Sequence, residues 1–273
     1  MVDDSKRRGG DRRPHTSSGG APRRGPRTER DDRWSGPGRT RSAQPQQTDG
    51  DRAPQGPAIP AEVDAKDLPP EARRELSTLD RATADAVARH LVAAGELLDE
   101  DPQEALNHAR AARARTSRIA AVREAVGIAA YRCGDWAQAL SELRAARRMG
   151  SKSSLLALIA DCERGLGRPE RAIELARGPE AADLNEDDAD ELRIVAAGAR
   201  SDLGQLEQAL VVLSTPQLDP SRSGSTAARL FYAYADTLLA LGRDDEALQW
   251  FLRSAAADID GVTDAEERLS ELG

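Results

Sequence analysis

A short pattern of small residues and turn glycines returns five times in this chain of 273 residues, and it constrains the fold more than any other feature. Five alanines mark it: Ala105, Ala139, Ala172, Ala209 and Ala247, at spacings of 34, 33, 37 and 38 residues. Five residues before four of the markers stands a glycine: Gly134, Gly167, Gly204 or Gly242. In the first unit Glu100 holds that place. Twelve residues before each marker is a small residue (Ala93, Gly127, Ala160, Ala197, Ala235), and the residue after each marker is Leu or Ile. Glycine at a helix end takes the left-handed conformation without a Cβ clash. A helix that restarts at once must then run back along the first, and small residues at the crossing let the two backbones approach. One such hairpin cannot bury its apolar face alone, so the units must stack. Leu143, Leu213 and Phe251, four residues after their markers, are placed to fill the space toward the next hairpin. Ala109 and Ala176 leave thinner packing in their units.

The pattern is fullest in "YRCGDWAQALSELRAA" and "LLALGRDDEALQWFLRSA". These stretches resemble the tetratricopeptide repeat (TPR) family, whose units of about 34 residues stack as helix hairpins. The resemblance covers residues 86–261 as five units, 86–119, 120–152, 153–189, 190–227 and 228–261. It implies an all-α fold, an α-α superhelix of antiparallel hairpins. The bulky aromatic that the family carries early in each first helix survives only as Phe231; Arg89, Arg123, Leu156 and Arg193 stand in its place elsewhere. Pro179 and Pro216 are expected to stop the second helices of units three and four early, because proline lacks the N–H and clashes with the preceding turn. "LPPEARRELSTL" predicts a short leading helix. Residues 263–272 predict an amphipathic capping helix over the last hairpin, with Thr263 or Asp264 as its N-cap.

Residues 1–60 differ in kind. They carry 13 Lys+Arg against 8 Asp+Glu, so the remaining chain holds a net charge of −13 out of a total of −8. Their only sizeable apolar residues are Met1, Val2, Trp34 and Ile59, too few to offset the entropy of ordering the segment. The expected organisation is a disordered Arg/Gly/Pro-rich tail over 1–67 and a solenoid over 68–273. "MVDDSKRRGGDRRP" has no apolar stretch of a secretory signal, and no run reaches the roughly 18–20 apolar residues of a membrane span. With only Cys133 and Cys162 and no disulfide framework, a cytoplasmic protein is expected.

The sequence offers no catalytic constellation. His15 lies in the tail, His90 and His108 fall on separate predicted helices, and no nucleophile elbow, zinc-protease, phosphate-loop or paired-cysteine motif occurs. The acidic run "DLNEDDADE" lacks the glycine and ligand spacing of a calcium loop. No enzyme, cofactor or metal is expected. The repeat resemblance implies a non-catalytic scaffold whose first helices line a concave groove that holds a peptide or protein segment. Counting back from the markers places Tyr131, Arg164, Tyr232 and Asp236 on that groove as candidate contact residues. Tyr and Arg combine large contact area with a polar handle. A competing reading takes the Arg-rich tail, residues 1–60, as an RNA-binding segment of an RNA- or ribosome-associated protein.

Overall fold

The structure, a computed structural model, describes residues 56–152 and 154–272. Among them are twelve α-helices and no strand. A leading helix α1 (Pro70–Leu76) precedes five antiparallel hairpins. These pair α2 (Arg81–Glu96) with α3 (Pro102–Arg115), α4 (Ala120–Arg132) with α5 (Trp136–Arg148), and α6 (Leu156–Gly165) with α7 (Pro169–Ala176). Then come α8 (Glu186–Asp202) with α9 (Leu206–Leu213) and α10 (Ser225–Ala240) with α11 (Asp244–Ala257). Each second helix also packs on the first helix of the next hairpin, and α12 (Ala265–Leu272) closes the stack against α11. The all-α fold expected from the repeat is the fold observed.

The turn glycines act as the sequence implies. Gly134 sits at φ +72° between α4 and α5. Its N–H donates to the Tyr131 carbonyl (2.9 Å), and the N–H of Asp135 donates to the Ala130 carbonyl (2.9 Å). That pair of bonds is a Schellman cap, which satisfies the last carbonyls of α4. Gly167, Gly204 and Gly242 close their hairpins with the same two bonds. Asp135 then caps α5 by accepting from the Gln138 N–H (3.1 Å), so one residue ends the turn and begins the next helix. The first hairpin has no such glycine and uses the longer turn Leu97–Asp101, where Asp101 caps Glu104 and Pro102 opens α3.

All five marker alanines are fully buried (0 % exposed). At Gly127 a Cβ would stand 2.7 Å from the Leu143 side chain, so this crossing is closed by glycine because Leu143 leans into it. Seven residues after the marker, Ala112, Ala146 and Ser254 are buried in the third turn of α3, α5 and α11. The equivalent residues in the other two units are Pro179 and Pro216. As expected, α7 and α9 stop after 8 residues, against 13 or 14 in the others.

One expected boundary is corrected. Residues 56–67, counted with the tail, are built into the stack: Val63 is 4 % exposed, Ile59 packs on the same cluster, and Ala65–Asp67 form a 3-10 turn capped by Asp64. Arg89 of α2 holds this segment by donating to the carbonyls of Val63 (3.0 Å) and Pro60 (3.3 Å). Apolar residues this sparse do not announce an ordered segment in sequence; the arginine that binds their backbone does the ordering. The expectation of disorder over 1–55 lies outside the described residues.

Candidate functional site

Two of the expected groove residues, Tyr131 and Arg164, occupy the last turn of α4 and α6, directly before the hairpin turn. Tyr131 of α4, Arg164 of α6 and Ser201 of α8 are the residues whose carbonyls accept from Gly134, Gly167 and Gly204. The repeated cap therefore fixes their direction. Tyr131 donates its hydroxyl to Asp161 Oδ2 (2.6 Å). Arg164 donates from Nη1 to Asp161 Oδ1 (2.8 Å) and from Nε to Asp202 Oδ2 (2.6 Å). One polar chain thus crosses three consecutive first helices. Trp136, the first residue of α5, stands edge-on to Tyr131 with ring centroids 5.2 Å apart. It lies against Gly165, where a Cβ would be 2.6 Å from the indole. Trp136, Asp161, Arg164, Gly165, Gly167, Pro169 and Asp202 line an open cleft of about 570 Å³.

The electrostatics of this cleft are fixed by burial and pairing. Burial and the hydrogen bond to Asp161 hold the Tyr131 phenol far above its ordinary pKa, so it remains a donor. Burial opposes the charge on Arg164, but Asp202 and Asp161 outweigh it and raise its pKa. Two carboxylates thus face one guanidinium, which leaves the cleft with a net negative charge.

The structure does not bring all four expected residues together. Tyr232 and Asp236 lie on α10 and face α12. Tyr232 packs edge-on to Phe251 (5.2 Å), and burial with the neighbouring Asp264 carboxylate pushes its phenol up to about 12. Asp236 is exposed and pairs with Arg268 of α12 (3.2 Å). The amphipathic pattern of the capping helix gives its apolar face but not the reach of Arg268, so this pairing is not legible in the sequence. Sequence reasoning also passed over Trp136 and Asp202. Both had a signal: each sits two residues from a turn glycine, Trp136 after Gly134 and Asp202 before Gly204.

Among the described residues no group of three or more His, Cys, Asp and Glu is placed to hold a metal. Cys133 donates from Sγ to the Pro102 carbonyl (3.1 Å), and burial raises its thiol pKa. Burial pushes the Cys162 thiol up to about 12, so neither sulfur is a ready thiolate. His90 and His108 are buried against each other, Nδ1 to Nδ1 at 3.0 Å.

Five hairpins, each packed through a buried marker alanine and four closed by one glycine cap, decide the architecture. The fold is a tetratricopeptide-like solenoid. No protein-family model and no curated protein matches the chain. Among solved structures it is similar to YrrB, described as a TPR protein with an unusual peptide-binding site. The identity is 19 % over 70 % of this chain and 94 % of that one, with a TM-score of 0.42. No helix among the described residues is long and apolar enough to cross a membrane. The competing RNA reading rests on the tail, whose residues 1–55 lie outside the described ones.

Proposed function

We propose that this protein is a non-catalytic interaction scaffold that holds a peptide segment of a partner protein in the groove lined by α4, α6 and α8. The observation that carries this reading is the cleft of about 570 Å³, in which aromatic surface (Trp136) borders a fixed polar chain of Asp161, Arg164 and Asp202 joined by Tyr131. An aromatic wall with oriented acceptors suits an extended segment that presents alternate side chains. Two carboxylates against one guanidinium favour a Lys, Arg or backbone amide at this point. The surplus of acidic charge over residues 61–273 favours a basic or neutral segment by long-range attraction. Tyr232 and Asp236 extend the contact toward α12, where a basic partner group would compete with Arg268 for Asp236.

The test is selection of peptides from a random library on the full chain. The selected set is expected to be enriched in Lys and Arg. Asp161→Asn with Asp202→Asn is expected to lower affinity at least tenfold, and Tyr131→Ala with Arg164→Ala to do the same, with helicity retained by circular dichroism. Removing residues 1–55 is expected to leave binding unchanged. Peptides that bind both double variants as tightly as the parent would move the site off this groove.

A further inference from the structure

The two shortened helices have different consequences. Where α9 stops, the following loop folds back and seats Leu218 in the space, 9 % exposed, against the cluster that holds Leu230 and Phe231. Where α7 stops, the 3-10 turn Pro179–Asp183 follows; of its residues only Ala181 borders the gap, and Leu184 after it packs on the cluster of Leu156 and Leu192 without lining the gap. A cavity of about 200 Å³ remains over α8. It is walled by Ile173, Ala181, Leu192, Ala196 and Val212. Ala196 and Leu192 lie on the side of α8 turned away from Gly198 and Ser201 at 100° per residue, so this cavity is separate from the groove.

Three arginines and no acidic residue border it. Arg193 is engaged, pairing with Asp190 and donating to the carbonyls of Val212, Leu213 and Pro216. Arg200 is different. It is 8 % exposed, yet it pairs with no carboxylate among the described residues. Its Nη1 donates to the neutral Gln205 Oε1 (2.9 Å), and its buried Nε has no hydrogen-bond partner. Arg177, at the exposed rim, also forms no ion pair among the described residues. A buried guanidinium with no counter-charge is costly, and the cost is removed by an anion that arrives with its own apolar cover.

We propose that the gap between α7, α8 and α9 is a binding site for a small apolar carboxylate, with its hydrocarbon body against Ile173, Leu192 and Val212 and its carboxylate on Arg200. An apolar cavity of about 150 Å³ accepts benzene, so this one accommodates a body of that size with one carboxylate attached. Arg177 supplies a second cation at the mouth. The carboxylate can belong to a free molecule or to the C-terminus of a short apolar peptide; the chemistry recognised is the same.

The experiment is titration of the full chain with hexanoate and benzoate, and with hexan-1-ol and benzyl alcohol as neutral matches, followed by calorimetry and amide chemical shifts. The acids are expected to bind at least tenfold more tightly than the alcohols, with saturable shifts confined to residues 173–213. Arg200→Met is expected to erase that preference. Ala181→Leu, which fills the gap from the 3-10 turn, is expected to abolish binding of acid and alcohol alike. Tyr131→Ala is expected to change nothing, which separates this site from the groove. Acetyl-Gly-Leu as acid and as amide forms the peptide arm: acid-only binding tighter than that of hexanoate assigns the site to a peptide terminus, and the reverse order assigns it to a free acid. Equal binding of acids and alcohols to the parent chain overturns the proposal without recourse to any variant, as does acid binding that Ala181→Leu leaves intact.

Discussion

Arg89, Arg123 and Arg193 stand sixteen residues before their marker alanines, the place of a bulky aromatic in the repeat family that this chain resembles. The structure gives the three one role. Arg89 donates to the carbonyls of Pro60 and Val63, Arg123 to that of Ser117 (2.9 Å), and Arg193 to those of Val212, Leu213 and Pro216. Each guanidinium thus fastens backbone at a place where the chain is not helical or where a helix has just ended. Arg193 has the largest task, because α9 ends early and leaves its last carbonyls without intrahelical donors. It also partners the buried Asp190, which Arg222 reaches from the other side (2.6 Å). Arg193→Met keeps much of the side-chain volume and removes every donor. A loss of about 3 kcal/mol is expected, the scale of breaking a buried ion pair, measured as a shift in urea unfolding. Tyr232 gives a second prediction at this scale. Its phenol is raised to about 12, so it stays protonated at pH 10, where an ordinary tyrosine is half ionised. In an alkaline titration followed at 295 nm, Tyr232→Phe is expected to remove a step near pH 12.

Within elements, the helix crossings and the first hairpin set the stability. At Ala139 there is no room beyond the methyl group, so Ala139→Leu overpacks the contact between α4 and α5. It is expected to cost about 1–3 kcal/mol, read from the thermal or urea midpoint. The α2–α3 hairpin carries a proton-dependent weakness. His90 and His108 share one Nδ1–Nδ1 hydrogen bond, in which one ring donates and the other must be neutral to accept. Burial, with Arg115, His108 and Arg89 nearby, lowers the His90 pKa to about 4. Burial also lowers that of His108, against the opposing pull of Glu104. The sign follows from linkage. In the unfolded chain both rings protonate near their ordinary pKa, while in the folded chain they stay neutral, so falling pH favours the unfolded state. The contribution of the pair is intact above about pH 6.5 and declines below it, by up to about 1.4 kcal/mol per pH unit from His90 as the pH falls toward about 4, with His108 acting in the same direction. Urea midpoints at pH 7 and pH 5 check this. The drop should shrink in the His90→Gln, His108→Gln double variant, and an equal drop in parent and variant would assign it to other groups.

Across the whole molecule, polar links join successive hairpins. Glu142 of α5 takes Arg113 of α3 (2.6 Å) and Arg123 of α4 (2.8 Å), and Glu163 of α6 takes Arg144 of α5 (2.6 Å). Asp190 of α8 takes Arg222, which leads into α10. Such couplings make the stack unfold as neighbouring units and not as independent hairpins. The shortest helices within the five hairpins are α7 and α9, each 8 residues long. Native-state hydrogen exchange is expected to show the amides of α7 and α9 opening before those of α4, α5, α10 and α11. Uniform protection across all hairpins would show that the shortened helices are not weak points. Much of this was legible in the chain itself. Local chemistry determined it: glycine spacing set the turns, buried alanines set the crossings, and Pro179 and Pro216 set where two helices end. Those effects act within a few residues, so one sequence reveals them. The candidate groove was legible only as a face: the marker count that placed Tyr131 and Arg164 there also puts Asp161, eleven residues before Ala172, on it, but not Asp202. Tertiary structure alone decided that Asp161 and Asp202 converge on Arg164, that α12 answers Asp236, that residues 56–67 join the stack, and that Arg200 is buried beside an unfilled gap. These contacts join positions up to 38 residues apart in sequence on separate helices, and periodicity fixes which way a side chain points without fixing what it meets.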